Sequence, residues 1–299
     1  MVKKYTMQDI AKAANVSKAT VSYVLNEKSG ARVSEQTRRK ILQIANVYHY
    51  VPNLSAKYLG DTRKKLIGIV VGNDEKNNLP YDGQAMDALY EVFPASDYKL
   101  VLLDSKSRYE YMDLAYDVIF AQNLSEEQIR KISTNTFSPI VLLDCAFPDL
   151  LFFRIRNDYA AAFALASSLF SEKRDCALVY CQQNNESEDG ILKSLPAAEI
   201  LVLNGNNRAE ADAFFIRNED KNIVAIGDVA GLVALSACRL ERLAVVSSRC
   251  GGLFPEKVLR IVWDEKLRSN YLSSVVSKLE AKEAEDSDVH ELWVKPLLL

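Results

Sequence analysis

Lys18, Ala19, Ser22 and Tyr23 fall at positions that share one face of a helix. A lysine ammonium can donate to guanine O6 or N7, an alanine is small enough to meet a thymine methyl, and a tyrosine offers both a ring and a hydroxyl. Lys18, Ala19 and Tyr23 on one surface therefore have the chemistry to read base edges in a major groove.

The flanking residues predict the elements that would present them. Thr6-Met7-Gln8-Asp9 has the form of a capping box, opening a short helix through about Ala14. Asn15 tolerates the left-handed conformation that ends a helix, and Ser17 caps a second one through about Leu25. Val21, Val24 and Leu25 recur at i, i+3 and i+4 and should face Ile10, Ala11 and Ala14, giving helix, tight turn, helix. Ser34 caps a third helix with the apolar stripe Ile41, Ile44, Ala45 and Tyr48, and Arg38, Arg39 and Lys40 are expected on or beside its solvent side. Pro52 ends this unit. Residues 53–60 form an N-cap, about six helical residues and a C-cap glycine, too short a helix to persist alone in water.

Charge divides the chain at the same place. Residues 1–65 carry 13 Lys or Arg against Asp9, Glu27, Glu35 and Asp61, while the remainder carries 24 against 36 acids. A basic module joined to an acidic body implies that the first segment meets a polyanion and the body stays off it. At 299 residues, 48% of them hydrophobic, the chain can bury two or three cores.

From Lys65 onward the pattern changes to continuous apolar runs at 66–72, 99–103, 118–121, 139–143, 177–181, 200–203, 223–226 and 243–246. Such runs suit strands of a parallel sheet buried on both faces. Helices are predicted between most of them, at 81–93, 125–133, 159–170, 208–216, 229–238 and 265–283, so the body is expected to be a doubly wound α/β structure. The scattered Cys145, Cys176, Cys181, Cys238 and Cys250 have no C-x-x-C spacing and imply reduced core thiols, hence a cytoplasmic setting. No apolar stretch has membrane-spanning length, so no membrane partner is expected. With only His49 and His290, histidine-based metal sites and triads have little to draw on, and no metal or cofactor is expected. Nucleotide cradles and nucleophile elbows are missing too, which argues against an enzyme.

The run 6–11, then Ala14-Asn15-Val16-Ser17, then 19–26, closely resembles the headpiece of the LacI/GalR family of bacterial regulators. Val33-Ser34 with Thr37-Arg38, Tyr50-Val51-Pro52-Asn53, Ala56 and Leu59 continue the family's third helix and hinge. The resemblance implies a homodimer on near-palindromic double-stranded operator DNA, most simply as a repressor. It places Met7, Gln8, Ser17, Thr20, Ser22, Asn26, Arg32, Tyr50 and Asn53 where the family anchors phosphates or bases, with a structural role equally open for Thr20 and Ser22. It makes Leu59 a minor-groove wedge, with Ala56 allowing two hinge helices to approach; packing on the headpiece is the alternative for Leu59.

Behind a headpiece and hinge at 1–60, the resemblance implies a periplasmic-binding-protein-like regulatory domain at 61–299. Its N-subdomain would comprise about 65–157 plus 264–288, its C-subdomain about 158–263 plus 289–299, with an effector cleft between them. Asp228 stands where an acid often meets a sugar hydroxyl, or else caps the following helix. Two departures weaken a sugar site. Gln182-Gln183-Asn184-Asn185-Glu186 replaces a Gly/Ser-containing loop followed by an Arg, and Ser247-Ser248-Arg249 replaces an aspartate-bearing loop. A carbohydrate-like effector, another small molecule and a protein co-regulator all stay open as partners.

Overall fold

The computed structural model describes residues 6–25, 33–48, 65–72, 84–93, 98–103, 116–147, 149, 152–281 and 290–299. Three helices come first: α1 (Met7–Ala14), α2 (Lys18–Leu25) and α3 (Glu35–Val47). Their facing apolar residues close a small core of Ile10, Ala11, Ala14, Val21, Val24, Leu25, Ile41, Leu42, Ile44 and Ala45.

Two six-stranded sheets follow. The first takes β1 (Lys65–Val71), β2 (Tyr98–Leu103), β3 (Val118–Gln122), β4 (Ile140–Leu143), β5 (Phe153–Asn157) and β11 (Glu291–Val294), in the spatial order β11-β5-β4-β3-β1-β2. The second takes β6 (Cys176–Cys181), β7 (Ile200–Leu203), β8 (Asn222–Ile226), β9 (Leu243–Ser247), β10 (Leu259–Trp263) and β12 (Pro296–Leu298), in the order β12-β10-β9-β8-β6-β7. Every pairing is parallel except that of β12 with β10. The connecting helices are α4 (Gln84–Val92), α5 (Glu126–Asn135), α6 (Tyr159–Leu169), α7 (Glu186–Lys193), α8 (Arg208–Arg217), α9 (Asp228–Leu235) and α10 (Glu265–Ala281). The strand, helix, strand succession lets apolar runs such as Ile223 to Ile226 be covered on both faces.

One core joins the two sheets. It runs from Ile67, Ile69 and Phe120 through Ile155, Tyr159 and Phe163 to Leu178, Tyr180 and Trp263. Tyr159 meets Trp263 edge to face at 5.7 Å, an arrangement worth roughly 0.5–1.5 kcal/mol beyond the area it buries. Helix α6 thus carries apolar contact from the end of the first sheet directly onto the second.

The structure corrects the boundaries in two places. The last crossover, expected near Val289, falls at Lys295, because Glu291–Val294 pairs in register with Arg154 to Asn157 of the first sheet and only Pro296–Leu298 joins the second. Helix α7 at Glu186–Lys193 is not among the helices expected from the sequence; Asn185 accepts from the Glu188 amide as its N-cap. All five cysteines are free thiols, and burial pushes that of Cys145 well above its ordinary range.

Candidate nucleic-acid interface

Local hydrogen bonds fix the first three helices. The Thr6 hydroxyl accepts from the Asp9 amide while the Asp9 carboxylate accepts from the Thr6 amide at 2.8 Å, a complete capping box. Asn15 adopts φ 56°, ψ 48°, and its amide bonds back to the carbonyls of Ala11 and Lys12. Two residues later Ser17 Oγ accepts from the Thr20 amide at 3.0 Å and starts α2. With Val21, Val24 and Leu25 buried, the opposite face of α2 presents Lys18, Ala19 and Tyr23, the last with 46% of its surface exposed. The three candidate base readers thus stand together on one exposed face.

The supporting candidates divide. Met7 is half-buried against the small core, Gln8 and Ser17 are exposed, and Ser22 is half-exposed beside Tyr23. The Thr20 hydroxyl pairs with that of Ser17 at 2.8 Å, so it helps to build the cap whatever else it meets. Asn26, Arg32, Tyr50, Asn53, Ala56 and Leu59 lie outside the described residues.

The expected solvent side of α3 is a correction. Leu42 and Gln43 are buried, and Arg38 Nε donates to the Thr134 carbonyl of α5 at 3.1 Å. The Arg39 guanidinium lies 5.9 Å from the Phe147 ring centre, with Arg130 at 5.1 Å from the same ring, and Phe137 packs into the headpiece core. Lys40 alone of the three basic residues is exposed. Helix α3 therefore has two packed faces, one toward α1 and α2 and the other toward α5, which leaves the reading face of α2 uncovered.

A second site candidate lies at the carboxyl ends of the two sheets, where open α/β folds place ligands. In the first sheet the strand ends are Gly72 and Gln122-Asn123-Leu124; in the second they are 181–185, Gly227-Asp228 and 247–250. They touch. Asn184 Nδ2 donates to the Asn123 carbonyl at 2.7 Å and to Gln128 Oε1 at 3.2 Å, and Asn185 Nδ2 donates to the Leu124 carbonyl at 3.0 Å. The Glu126 amide donates to Glu186 Oε2 at 3.1 Å, and Ser187 Oγ donates to Glu126 Oε1. Gly72 is required at this seam, since a Cβ there would stand 1.9 Å from the Asn123 carbonyl oxygen and 2.9 Å from Asn184 Nδ2.

Beneath these contacts lies a charged cluster. Arg156 of β5 is ion-paired with Glu188 of α7 at 2.8 Å and with Glu291 of β11, and its guanidinium stacks 4.6 Å from the Trp293 ring centre. Glu188 is fully buried, and burial raises its carboxyl to about 7 although Arg156 pulls the other way. Close by, Arg268 of α10 donates to Asn157 Oδ1 at 2.6 Å and pairs with Asp144. Residue-by-residue reading missed this cluster. Its only sequence signal was the alternation of arginine with apolar residues in Phe153-Arg154-Ile155-Arg156.

Asp228 does not cap the helix that follows it. The N-cap of α9 is Gly227 at φ 96°, and Asp228 is the first helical residue. Its carboxylate accepts from Ser247 Oγ at 2.5 Å and from the amides of Arg249 at 3.0 Å and Cys250 at 3.4 Å, so it braces the loop after β9. Arg249 in turn pairs with Asp87 of α4, across the cleft.

Comparison with known proteins agrees with the headpiece geometry. The family profile described as bacterial regulatory proteins, lacI family, matches residues 6–53. The sucrose operon repressor of Klebsiella pneumoniae is 47% identical over 70 residues, covering 23% of this chain and 21% of that repressor. The transcriptional regulator DegA of Bacillus subtilis is 25% identical over 277 residues, covering 81% of this chain and 79% of DegA. Among solved structures, the lac repressor dimer bound to operator aligns with TM-score 0.57 at 15% identity over 99% of this chain and 98% of that one. The regulator CcpA of Lactococcus lactis aligns with TM-score 0.58 at 17% identity over 79% and 98%. The first shows a shared fold over nearly the whole chain, an N-terminal helical head before a core of two parallel-sheet subdomains, and the second shows it over 79% of the chain. With a helix-turn-helix built by the caps above and these regulators as relatives, residues 6–53 form a head of the lacI family of bacterial regulatory proteins.

Proposed function

We propose that this regulator represses transcription as a homodimer on a near-palindromic operator, reading bases with Lys18, Ala19 and Tyr23 of α2 in the major groove. The observation that carries the reading is the exposed α2 face: α3 takes up the contact with the body, and α2 stays open to a partner. Phosphate and supporting contacts fall to Met7, Gln8, Ser17, Thr20, Ser22, Asn26, Arg32, Tyr50, Asn53 and Ala56, and Leu59 wedges the minor groove. Residues 1–60 act as headpiece and hinge, and 61–299 as a two-part regulatory domain. The setting is cytoplasmic, in keeping with a DNA-binding family; none of the described helices is long and apolar enough to cross a membrane.

Selection from a random DNA pool gives the operator. On it, Lys18→Ala and Tyr23→Ala each weaken binding by roughly 1–3 kcal/mol of base discrimination while binding to random DNA hardly changes. Arg32→Ala weakens both. Equal losses on operator and random DNA for Lys18→Ala and Tyr23→Ala would remove α2 as the reader. Leu59→Ala reduces bending in a phased gel assay together with affinity, and unchanged bending would remove the wedge.

A further inference from the structure

We propose that the regulatory domain closes on itself without a ligand, the segment from Asn184 to Ser187 occupying the place between the sheets that an effector would take. The inference rests on reading that cleft as the effector position. The segment's contacts are those a polar ligand would make. Asn184 and Asn185 aim amide donors at the Asn123 and Leu124 carbonyls, just after the central strand β3, and Glu186 accepts from the Glu126 amide that opens α5. These are the backbone acceptors and donors at the carboxyl ends of a parallel sheet that serve bound molecules in such folds.

Asp228 and Arg249 are committed in the same way. Both Asp228 oxygens are taken by Ser247, Arg249 and Cys250, and the Arg249 side chain is drawn across the opening to Asp87. At the rear, Arg156 of the first sheet and Glu188 of α7 are a buried ion pair joining the two halves, and Tyr159 on Trp263 adds apolar contact at the same seam. A molecule entering the cleft would first have to displace this set, and it can shift the equilibrium only by the difference in its affinity for the open and closed forms. The device follows: closure is encoded in the chain, and an opening agent, such as a protein that prefers the open form, would be the regulator, where a closing sugar would otherwise be.

Asn184→Ala combined with Asn185→Asp tests this on the full-length protein. Aspartate keeps the oxygen that caps α7 but loses the donor to Leu124. In hydrogen exchange read by mass spectrometry, the wild type freed of small molecules protects the amides of 124–126, and the double variant loses that protection about tenfold or more. Its radius of gyration by small-angle scattering increases, while the amides of β8 and β9 keep their protection. Should the double variant fail to fold, Asp87→Asn with Ser187→Ala, both at the partly exposed margin, gives the same changes on a smaller scale. The inference is overturned if the ligand-free wild type already exchanges at 124–126 as fast as the variant. It is equally overturned if millimolar glucose, fructose or sucrose contracts the wild type and slows exchange there. Operator binding is measured in parallel. A wild type that selects no DNA sequence strikes the operator reading and leaves the scattering result standing, whereas closure driven by sugar strikes only this inference.

Discussion

The headpiece and the seam between the two sheets keep their polar groups bonded by opposite means. In the headpiece Thr6 with Asp9, Ser17 with Thr20 and Ser34 with Thr37 bond three residues apart at exposed helix starts. Across the seam Asn184 and Asn185 bond partners 56 to 61 positions away, and Arg156 bonds Glu188 and Glu291 at separations of 32 and 135. Water can replace a lost exposed cap, so its removal costs about 1 kcal/mol. A buried charge that loses its partner keeps its desolvation penalty, which makes the loss roughly 3–5 kcal/mol. The reading face can be rewritten without unfolding the head, whereas the seam is either complete or costly.

Five substitutions probe that contrast. Arg156→Met leaves Glu188 buried without its cation and should lower stability in urea by about 3 kcal/mol. Adding Glu188→Leu should restore much of it, and a double variant as unstable as the single one would show that the pair acts through packing alone.

Glu188→Gln sharpens the same point through pH. The folded carboxyl is raised from 4.5 to about 7, so it binds its proton more tightly folded than unfolded. Its contribution is therefore complete below about pH 4.5 and is lost as the pH rises through about 7. Relative to the glutamine variant, the wild type should lose about 3 kcal/mol between pH 4.5 and pH 8 in chemical denaturation. Parallel pH curves for the two proteins would break the assignment of a buried, proton-binding carboxyl.

Phe137→Ala removes the ring that the body contributes to the headpiece core. A loss of about 2 kcal/mol is expected at this half-buried site, with a separate, lower headpiece transition appearing in calorimetry. A single unchanged transition would mean that α3 and α5 are not energetically coupled. At the small end, Thr6→Ala should cost the headpiece about 1 kcal/mol and leave the seam untouched, measured as amide exchange in α1 against exchange at 124–126.

Much of the head was legible because its causes are local. The capping box, the left-handed Asn15 and the Ser17 and Ser34 caps each need only residues three or four positions apart, and α1, α2 and α3 begin where those signals place them. The apolar runs located eight strands for a related reason: a strand covered on both faces must be apolar throughout, wherever its neighbours come from. Strand β5 escaped that rule. Its alternating arginines have the pattern of a half-exposed strand, yet Arg154 and Arg156 are 8% and 4% exposed, since Glu291 pairs with both of them and Glu188 and Trp293 cover Arg156.

What the amino-acid sequence determined by itself was a basic helix-turn-helix bearing Lys18, Ala19 and Tyr23 ahead of a doubly wound body, because caps, turns and buried runs are short-range properties of the chain. The second packed face of α3, the bracing of residues 247–250 by Asp228 and the bonds of Asn184 and Asn185 across the seam arise only in the folded chain. Each of those depends on which carbonyl, carboxylate or ring arrives from a distant part of the chain, and neither residue type nor spacing encodes that arrival.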